Sequence, residues 1–254
     1  MSIILNGKHI LLIDYSYYVY YRYNATKAWA KHSKTELNDE MLKGYILKHM
    51  KNDLIKWEKK WKTTNFIMCM DCPRNNIWRN EFINDYKGNR IKSIDYSIFE
   101  LLNKQTNIIY LEEDCLEADD VVAILYKEIR KIKTDYPIVI ITNDNDYIQL
   151  MDNYTEILNM QFKNIVLRGA GNPTEELFLK AILGDKSDNI PKIFKISKEK
   201  LNIIAKKNKE EKDIWLYENN IYEQFYKNMK LISFEYIPQI YIIRFVDKLN
   251  IKMI

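Results

Sequence analysis

Nine acidic residues fall in short clusters whose composition and spacing suit metal-dependent chemistry. They are Asp14, Asp71, Glu117, Asp119, Asp120, Asp144, Asp146, Asp185 and Asp188. Carboxylates packed together raise one another's pKa values and resist ionisation, and divalent cations relieve this repulsion. Hard ions such as Mg²⁺ and Mn²⁺ take oxygen ligands and use one or two carboxylates each, so the set predicts at least two ions. Two such ions together can activate a water and stabilise the leaving oxygen of a phosphodiester.

Each cluster taken alone has an ordinary structural explanation. A single Asp after a strand is usually a turn or helix-capping residue. The spacing of Asp144 and Asp146 is common in loops, and the stretch from Glu117 to Asp120 is typical of a first helical turn, which the helix dipole favours. The metal interpretation therefore depends on whether the fold brings the clusters together.

The elements that would position these residues alternate between strands and helices. Buried strands are predicted at 8–13, 66–70, 107–111 and 137–142, and helices at 37–61 and 116–132. This alternation predicts an α/β fold with a parallel sheet flanked by helices, in which ligands bind at the C-terminal ends of the strands. Asp14, Asp71 and Asp144 each follow a predicted strand closely, so we expect their carboxylates to converge.

The character of the sequence changes after residue 168. Residues 169–173 are the best linker-like stretch, and the pattern beyond them predicts only short helices. These lie at 174–183, 197–208, 211–228 and 239–249. We therefore expect two domains, 1–168 and 169–254.

Composition limits the class of protein. The chain has 254 residues, 47% hydrophobic and 29% charged, which is enough to bury a substantial core. Its three Cys form no disulfide framework and favour a reducing compartment. No apolar run reaches the ~18–20 residues of a membrane span. We expect an intracellular protein, in the cytoplasm or nucleus of a host cell, without a membrane partner.

The charge is balanced overall but unevenly distributed. The net charge is +4, from 39 Lys and Arg against 35 Asp and Glu. Because nine of the acidic residues belong to the clusters, the rest of the chain is strongly basic, which suits a polyanionic partner. Lys-rich surfaces are also ordinary, and abundant Lys, Asn and Ile are typical of AT-rich coding, so composition alone leaves both explanations open.

An ordered series of short segments resembles the 5′-nuclease superfamily of flap endonucleases and 5′→3′ exonucleases. The similarity is closest to phage-type members, which include the ribonuclease H that removes RNA primers. The segments are Leu-Leu-Ile-Asp14, Met-Cys-Met-Asp71, Trp78-Arg79, Tyr86-Lys87-Gly88-Asn89-Arg90, Leu-Glu117-Ala-Asp119-Asp120, Ile-Thr-Asn-Asp144-Asn-Asp146 and Leu-Gly184-Asp185-Lys-Ser-Asp188-Asn189-Ile190-Pro191. Each is weak alone, whereas their order across residues 10–191 is specific.

The resemblance implies a PIN-like nuclease domain with an arch at 73–104, followed by a helix–three-turn–helix region. It divides the carboxylates among Mg²⁺ ions, for which Mn²⁺ can substitute. One ion would be held by Asp14, Asp71, Glu117 and Asp119, and a second by Asp144, Asp146 and Asp185. Asp120 and Asp188 would hold metal waters from an outer position.

The resemblance also assigns roles around the scissile phosphate. Lys87 and Arg79 would contact that phosphate, where a cation stabilises developing negative charge. Tyr86 would stack on an unpaired base, and Arg90 would contact the nucleic-acid backbone. A solvated surface position is the alternative for Arg79 and Arg90, and a core position is the alternative for Tyr86.

The turn at 184–191 departs from the family pattern. The family has a glycine-rich continuation that brings backbone close to phosphate and carbonyls that bind K⁺, whereas this chain places lysines there. Glycine permits close backbone approach, and lysine supplies only a point charge. We expect Lys186, Lys192 and Lys195 to contact duplex phosphates, and K⁺ binding in the turn is left open.

The implied activity is hydrolysis near 5′ ends of branched or nicked duplex DNA, or of an RNA/DNA hybrid, during replication or repair. We expect a monomer that is viral or phage-encoded, with replication proteins as further partners. Two other functions stay open: a catalytically inactive branched-DNA binding module, and a PIN-type ribonuclease.

Overall fold

The fold is taken from a computed structural model that describes residues 2–6, 8–83, 86–89, 96–102, 108–168 and 172–253. Its strands are β1 (Ser2–Leu5), β2 (Ile10–Asp14), β3 (Phe66–Cys69), β4 (Ile109–Leu111), β5 (Ile138–Ile141), β6 (Thr155–Leu158) and β7 (Asn250–Met253). Its α-helices are α1 (Tyr15–Ser33), α2 (Asp39–Trp61), α3 (Tyr96–Leu102), α4 (Ala118–Ile132), α5 (Pro173–Leu183), α6 (Lys198–Ala205), α7 (Lys209–Glu218), α8 (Tyr222–Ile232) and α9 (Gln239–Val246). None of the helices in these ranges is long and apolar enough to cross a membrane.

Five of the strands form a parallel sheet in the order β4-β3-β2-β5-β6. The chain leaves β2 toward β3 and β4 on one side and then returns to place β5 and β6 on the other. The carboxyl ends of β2 and β5 therefore flank a topological switch point, where parallel sheets bind ligands. The predicted α/β class and its parallel sheet are confirmed.

Helices cover both faces of this sheet, so its central strands are buried on both sides. One core lies between the sheet and α4, whose apolar stripe includes Val121, Leu125 and Ile129. The other core lies between the sheet and the pair α1 and α2. A strand covered on both faces has no polar alternation, which explains the continuous apolar runs in the sequence.

The long helix α1 was not predicted. It begins directly after β2, with Asp14 as its N-cap accepting a hydrogen bond from Tyr17 N at 3.0 Å. Six of its first nine residues are tyrosines, and their rings occupy every side of the helix. The sequence therefore shows no apolar stripe, although Tyr18 and Val19 are buried against the sheet.

The C-terminal part is mostly helical, as predicted, with two local differences. The predicted helix at 211–228 is two helices, α7 and α8, separated at Asn220, whose φ of 55° cannot continue a helix. The chain also ends in an unpredicted strand, β7, which pairs in parallel with β1. Phe234 and Phe245 pack in the same core as α4, so residues beyond the predicted boundary at 168 return to the sheet.

Candidate metal centre and nucleic-acid interface

A cavity of about 980 Å³ opens at the C-terminal edge of the sheet. Asp14 is the last residue of β2, Asp71 lies just beyond β3, and Asp144 lies just beyond β5. The start of α4 reaches the same place and supplies Asp119. Six of the nine predicted carboxylates line this cavity, namely Asp14, Asp71, Asp119, Asp144, Asp146 and Asp185. The fold therefore brings together side chains that the sequence separates by up to 171 positions, from 14 to 185.

Short hydrogen bonds from neighbouring groups orient the two carboxylates at the ends of β2 and β3. Asp14 accepts a hydrogen bond from Thr142 Oγ1 at 3.0 Å. Asp71 accepts one from Ala118 N at 2.9 Å and another from the hydroxyl of Ser16. Carboxylates held in this way keep their direction when they bind a cation.

Four of the cavity carboxylates have no basic partner. Among the ion pairs of the described residues, none involves Asp14, Asp71, Asp119 or Asp144. Burial and the neighbouring Asp71 raise the pKa of Asp14 to about 7. Burial and the adjacent Asp120 raise the pKa of Asp119 well above its usual value. Asp14 and Asp119 therefore need an external cation to be fully ionised at neutral pH.

Arg79 lies beneath the cavity and not on its surface, so the prediction that it contacts the scissile phosphate is wrong for this structure. It is 1% exposed. Its guanidinium donates to Glu117 Oε2 and to both oxygens of Asp120 at 2.7 Å each, and its Nε donates to Leu231 O at 2.7 Å. A substrate phosphate cannot reach a guanidinium whose donors are buried and already bonded.

Asp120 and Asp188 do not line the cavity. One carboxylate oxygen from each of Glu117, Asp119 and Asp120 lies within 4.8 Å of the others, a spacing compatible with a metal ion. Asp120 is nevertheless fully buried and accepts hydrogen bonds from Arg79 and from Trp78 Nε1. It therefore acts mainly to hold Arg79 and the start of α4, and the outer-shell role predicted for it and for Asp188 stays a prediction.

Lys87 supplies the cation that the sequence predicted beside the carboxylates. Its side chain lines the cavity, and its ammonium pairs with Glu117. Burial alone would lower the pKa of Lys87, but Glu117 raises it well above its usual value, so the ammonium stays charged. Burial alone would raise the pKa of Glu117, but Lys87 and Arg79 lower it, so this carboxylate stays ionised. Contact between Lys87 and a phosphate stays a prediction.

Tyr86 is a core residue, which corrects the prediction that it stacks on an unpaired base. Its side chain is 4% exposed and packs in a cluster with Cys72 and Ile77. A base can stack only on a ring face that solvent reaches. Arg90, predicted to contact the nucleic-acid backbone, lies outside the described residues, as do the parts of the predicted arch at 84–85, 90–95 and 103–104.

Lys180 is a site residue that sequence reasoning missed. Its ammonium donates to Asp146 Oδ1 at 2.6 Å and Oδ2 at 2.7 Å and pairs with Asp185 Oδ2 at 2.8 Å. Burial keeps the pKa of Asp146 raised, at about 6, whereas Lys180 and Ser187 lower the pKa of Asp185. The only signal in the sequence was position, since Lys180 lies in the last turn of a predicted helix that leads into Asp185.

The turn that carries Asp185 has a tightly determined backbone. Asp185 and Ile190 exchange two backbone hydrogen bonds of 3.0 and 2.8 Å. Gly184 has a φ of 69°, and a Cβ at this position would lie 2.5 Å from Ile190 O. The buried amide of Asn228 donates to Pro191 O at 2.9 Å and so ties α8 to the end of the turn. These contacts fix the direction of Asp185, and K⁺ binding in the turn stays a prediction.

A polar and basic rim surrounds the cavity. Lys186, predicted to bind nucleic acid, is exposed and lines the cavity. Lys192 and Lys195 are exposed outside it, and their phosphate contacts stay predictions. Two unpredicted residues of α6, Lys198 and Asn202, also line the cavity. The rim therefore extends from the turn onto α6, with side chains able to contact a phosphate backbone.

We predict that Gly184→Ala lowers the free energy of unfolding by about 2–4 kcal/mol, because alanine is strained at this φ and its Cβ would meet backbone. The measurement is urea denaturation. Gly44→Ala is the matched control, since a Cβ there meets nothing within 4 Å and alanine favours α2 by about 0.5–1 kcal/mol. Equal denaturation midpoints for the two variants would contradict the role assigned to Gly184.

We predict that the metal-free protein loses about 2–4 kcal/mol of stability as pH rises from 5 to 8. The native state retains protons on Asp14 and Asp146, with pKa values of about 7 and about 6, whereas the unfolded chain has released them above its pKa of 3.8. Stability therefore falls as pH rises through the native pKa values. Asp14→Asn should make the free energy of unfolding depend less on pH and should be more stable than wild type at pH 8. The surface variant Asp135→Asn should behave like wild type. Urea unfolding in EDTA at each pH measures this free energy. A rise in wild-type stability from pH 5 to 8 would refute the raised pKa values of Asp14 and Asp146.

Comparison with known proteins agrees with this geometry. The 5′-3′ exonuclease N-terminal resolvase-like domain family matches residues 9–174. Ribonuclease H of Enterobacteria phage T4 is 27% identical over 238 residues, covering 81% of this chain and 75% of that protein. A 5′-3′ exonuclease of Buchnera aphidicola (subsp. Schizaphis graminum) is 29% identical over 231 residues, covering 84% and 74%.

Solved structures share the fold at lower identity. A phage T5 protein co-crystallised with metal ions has a TM-score of 0.63 and 16% identity, with 94% of this chain and 97% of that one covered. A bacteriophage T5 flap endonuclease in complex with DNA and metal ions has a TM-score of 0.62 over the same shares. The family match spans the parallel sheet and every carboxylate from Asp14 to Asp146, and the chain therefore belongs to the 5′-3′ exonuclease N-terminal domain family.

Proposed function

We propose that this chain is a Mg²⁺-dependent 5′ nuclease that hydrolyses phosphodiesters near the 5′ ends of branched or nicked duplexes. One observation carries the proposal: four carboxylates that have no basic partner among the described residues meet at the C-terminal edge of the parallel sheet, in a cavity rimmed by lysines. Asp14, Asp71 and Asp119 are half-buried, and a purely structural cluster of such acids would be neutralised within the protein, because uncompensated charge removed from water is destabilising.

The donor set fits a hard divalent cation. The cavity offers carboxylate oxygens, and no His or Cys is among the described residues that line it. Cys69 lies nearby on β3, but burial and Asp14 raise its pKa well above the usual value, so it remains a thiol and a poor ligand. Oxygen-only sites favour Mg²⁺ or Mn²⁺ over softer metals.

Two groups of residues would hold the ions. Asp14, Asp71 and Asp119 form one group, with Glu117 at its border. Asp144, Asp146 and Asp185 form a second group, in which Lys180 already bridges Asp146 and Asp185. When bound, divalent ions supply Lewis-acid stabilisation of negative charge and lower the pKa of a water used in hydrolysis.

The residues of the chain supply positioning and positive charge. Lys87 keeps its ammonium charged in a water-poor position, where a cation stabilises an approaching phosphate more than it would in bulk solvent. Lys186 and Lys198 on the rim would attract the phosphate backbone toward the carboxylates. The half-buried rings of Tyr17 and Tyr20 form part of the same wall.

Relatives support the choice of substrate. One similar structure is a flap endonuclease in complex with DNA and metal ions, and two similar proteins are named 5′-3′ exonuclease and ribonuclease H. We extend these substrates to this chain as branched or nicked DNA and RNA/DNA hybrids, processed in replication or repair. A monomeric state, K⁺ in the 184–191 turn and contacts with replication proteins belong to the same proposal.

The decisive test incubates the protein with a 5′-labelled flap, a nicked duplex, an RNA/DNA hybrid, and single-stranded DNA and RNA, in Mg²⁺, Mn²⁺ or EDTA. We expect metal-dependent cleavage at or near the flap junction, with turnover reduced at least about 10³-fold in Asp119→Asn and Asp144→Asn and nucleic-acid binding retained. Asp135→Asn is the surface control.

Other outcomes of that assay separate the alternatives. Binding of the flap without cleavage in either metal would favour an inactive branched-DNA binding module. Cleavage of single-stranded RNA alone would favour a PIN-type ribonuclease. Wild-type turnover in Asp119→Asn would refute the metal assignment.

We predict that Lys87→Ala lowers single-turnover cleavage by about 10²–10³-fold, because it removes the charged group beside the scissile phosphate. Lys87→Arg should retain part of the rate, since it keeps the charge at a similar place. Lys131→Ala is the control, because that lysine is exposed and pairs only with Glu128 on the surface of α4. If Lys87→Ala cleaved at the rate of the control, Lys87 would have no role beyond its pairing with Glu117.

A further inference from the structure

Tyr147 is a core residue that also borders the cavity of the candidate metal centre. It follows Asp146 directly, in the short 3₁₀ helix Asn145–Leu150. Its side chain is 1% exposed and lines the cavity. The ring packs edge to face on Phe234, with 6.4 Å between ring centroids. Packing therefore fixes the ring and with it the position of the hydroxyl oxygen.

The hydroxyl of Tyr147 has no hydrogen-bond partner among the described residues, and solvent does not reach it. A buried hydroxyl without a partner destabilises the fold, because it gives up its hydrogen bond to water and receives none in return. Phenylalanine would fill the same space without this cost. The oxygen atom therefore requires an explanation beyond packing.

The surroundings of Tyr147 indicate what its hydroxyl would bond. Tyr147 lines the same cavity as Asp14 and Asp119, and its phenol carries a proton that it can donate. Asp14 and Asp119 are also two of the carboxylates without a basic partner. A hydrogen-bond donor without a partner among the described residues thus belongs to a side chain that shares the cavity with the acceptors on which the metal proposal depends.

We propose that Tyr147 is a positioning residue of the metal centre, whose hydroxyl donates a hydrogen bond to an oxygen of the shell that Asp14 and Asp119 complete around a divalent ion. The inference rests on the proposed function, because that shell forms only if the site binds a metal. Ligands of metal sites are commonly held by such outer hydrogen bonds, and their loss weakens metal binding about tenfold or more.

The test is Tyr147→Phe, which removes one oxygen and keeps the ring. We expect its thermal midpoint in EDTA to be no lower than that of wild type, because the lost hydroxyl has no partner in the metal-free protein. We expect its dissociation constant for Mn²⁺, measured by isothermal titration calorimetry, to rise about tenfold. Stability without metal would be retained while affinity for Mn²⁺ falls, a combination that loss of packing alone would not produce.

Tyr136→Phe is the matched control. Tyr136 is a fully buried core tyrosine that precedes β5, at the opposite end of the strand from the cavity. Its replacement should leave the dissociation constant for Mn²⁺ unchanged. An effect on Mn²⁺ equal to that of Tyr147→Phe would show a general response to core substitution and overturn the inference.

Two further outcomes would overturn it. If Tyr147→Phe bound Mn²⁺ as tightly as wild type, the hydroxyl would have no role in the metal centre, and the proposed function would stand. If its midpoint in EDTA dropped together with Mn²⁺ affinity, the hydroxyl would be a structural group of the metal-free fold. Absence of Mn²⁺ binding by wild type would instead remove the proposed function and this inference together.

Discussion

Mutual repulsion among carboxylates at one edge of the sheet is the constraint on which the rest of this structure depends. Parallel strands present their C-terminal ends at the same edge, so acids that follow β2, β3 and β5 are forced together. Asp14 shows the result, since burial and its neighbour Asp71 raise its pKa to about 7. Cations near this edge, whether they are side chains or ions from solution, compensate that negative charge.

The chain compensates only part of the charge, and the compensation also joins the two halves of the fold. Arg79 neutralises Glu117 and Asp120, and its Nε bonds Leu231 O near the end of α8. Lys180 on α5 neutralises Asp146 and Asp185 from the C-terminal side. The helical region is thus held to the sheet by the Lys180 ion pairs and the Arg79–Leu231 hydrogen bond, in addition to the apolar contacts that it shares with α4.

The sequence locates the acids better than it locates Arg79 and Lys180, for a physical reason. Asp14, Asp71 and Asp144 can be located from apolar runs that a doubly covered strand requires, because that pattern is local. Whether Arg79 or Tyr86 faces solvent depends on which distant segment covers it, and no local pattern records this. The sequence does not distinguish Lys180 from the other lysines, because only the turn after α5 places it against Asp185. The helix α1 and the pair β1 and β7 were missed for the complementary reason, since their residues lack the expected periodicity.

Arg79 and Lys180 differ in whether a metal ion could replace them. The guanidinium of Arg79 is buried, planar and bonded through three nitrogens, so it holds Glu117 and Asp120 in a fixed arrangement. The ammonium of Lys180 is a point charge on a flexible stem that is only partly covered, and it can move aside without leaving a buried donor unpaired. Asp146 and Asp185 are therefore compensated reversibly, whereas Glu117 and Asp120 are compensated permanently. The pairs of Arg79 therefore fix the buried border of the acidic edge, whereas the pairs of Lys180 leave Asp146 and Asp185 on the wall of the cavity.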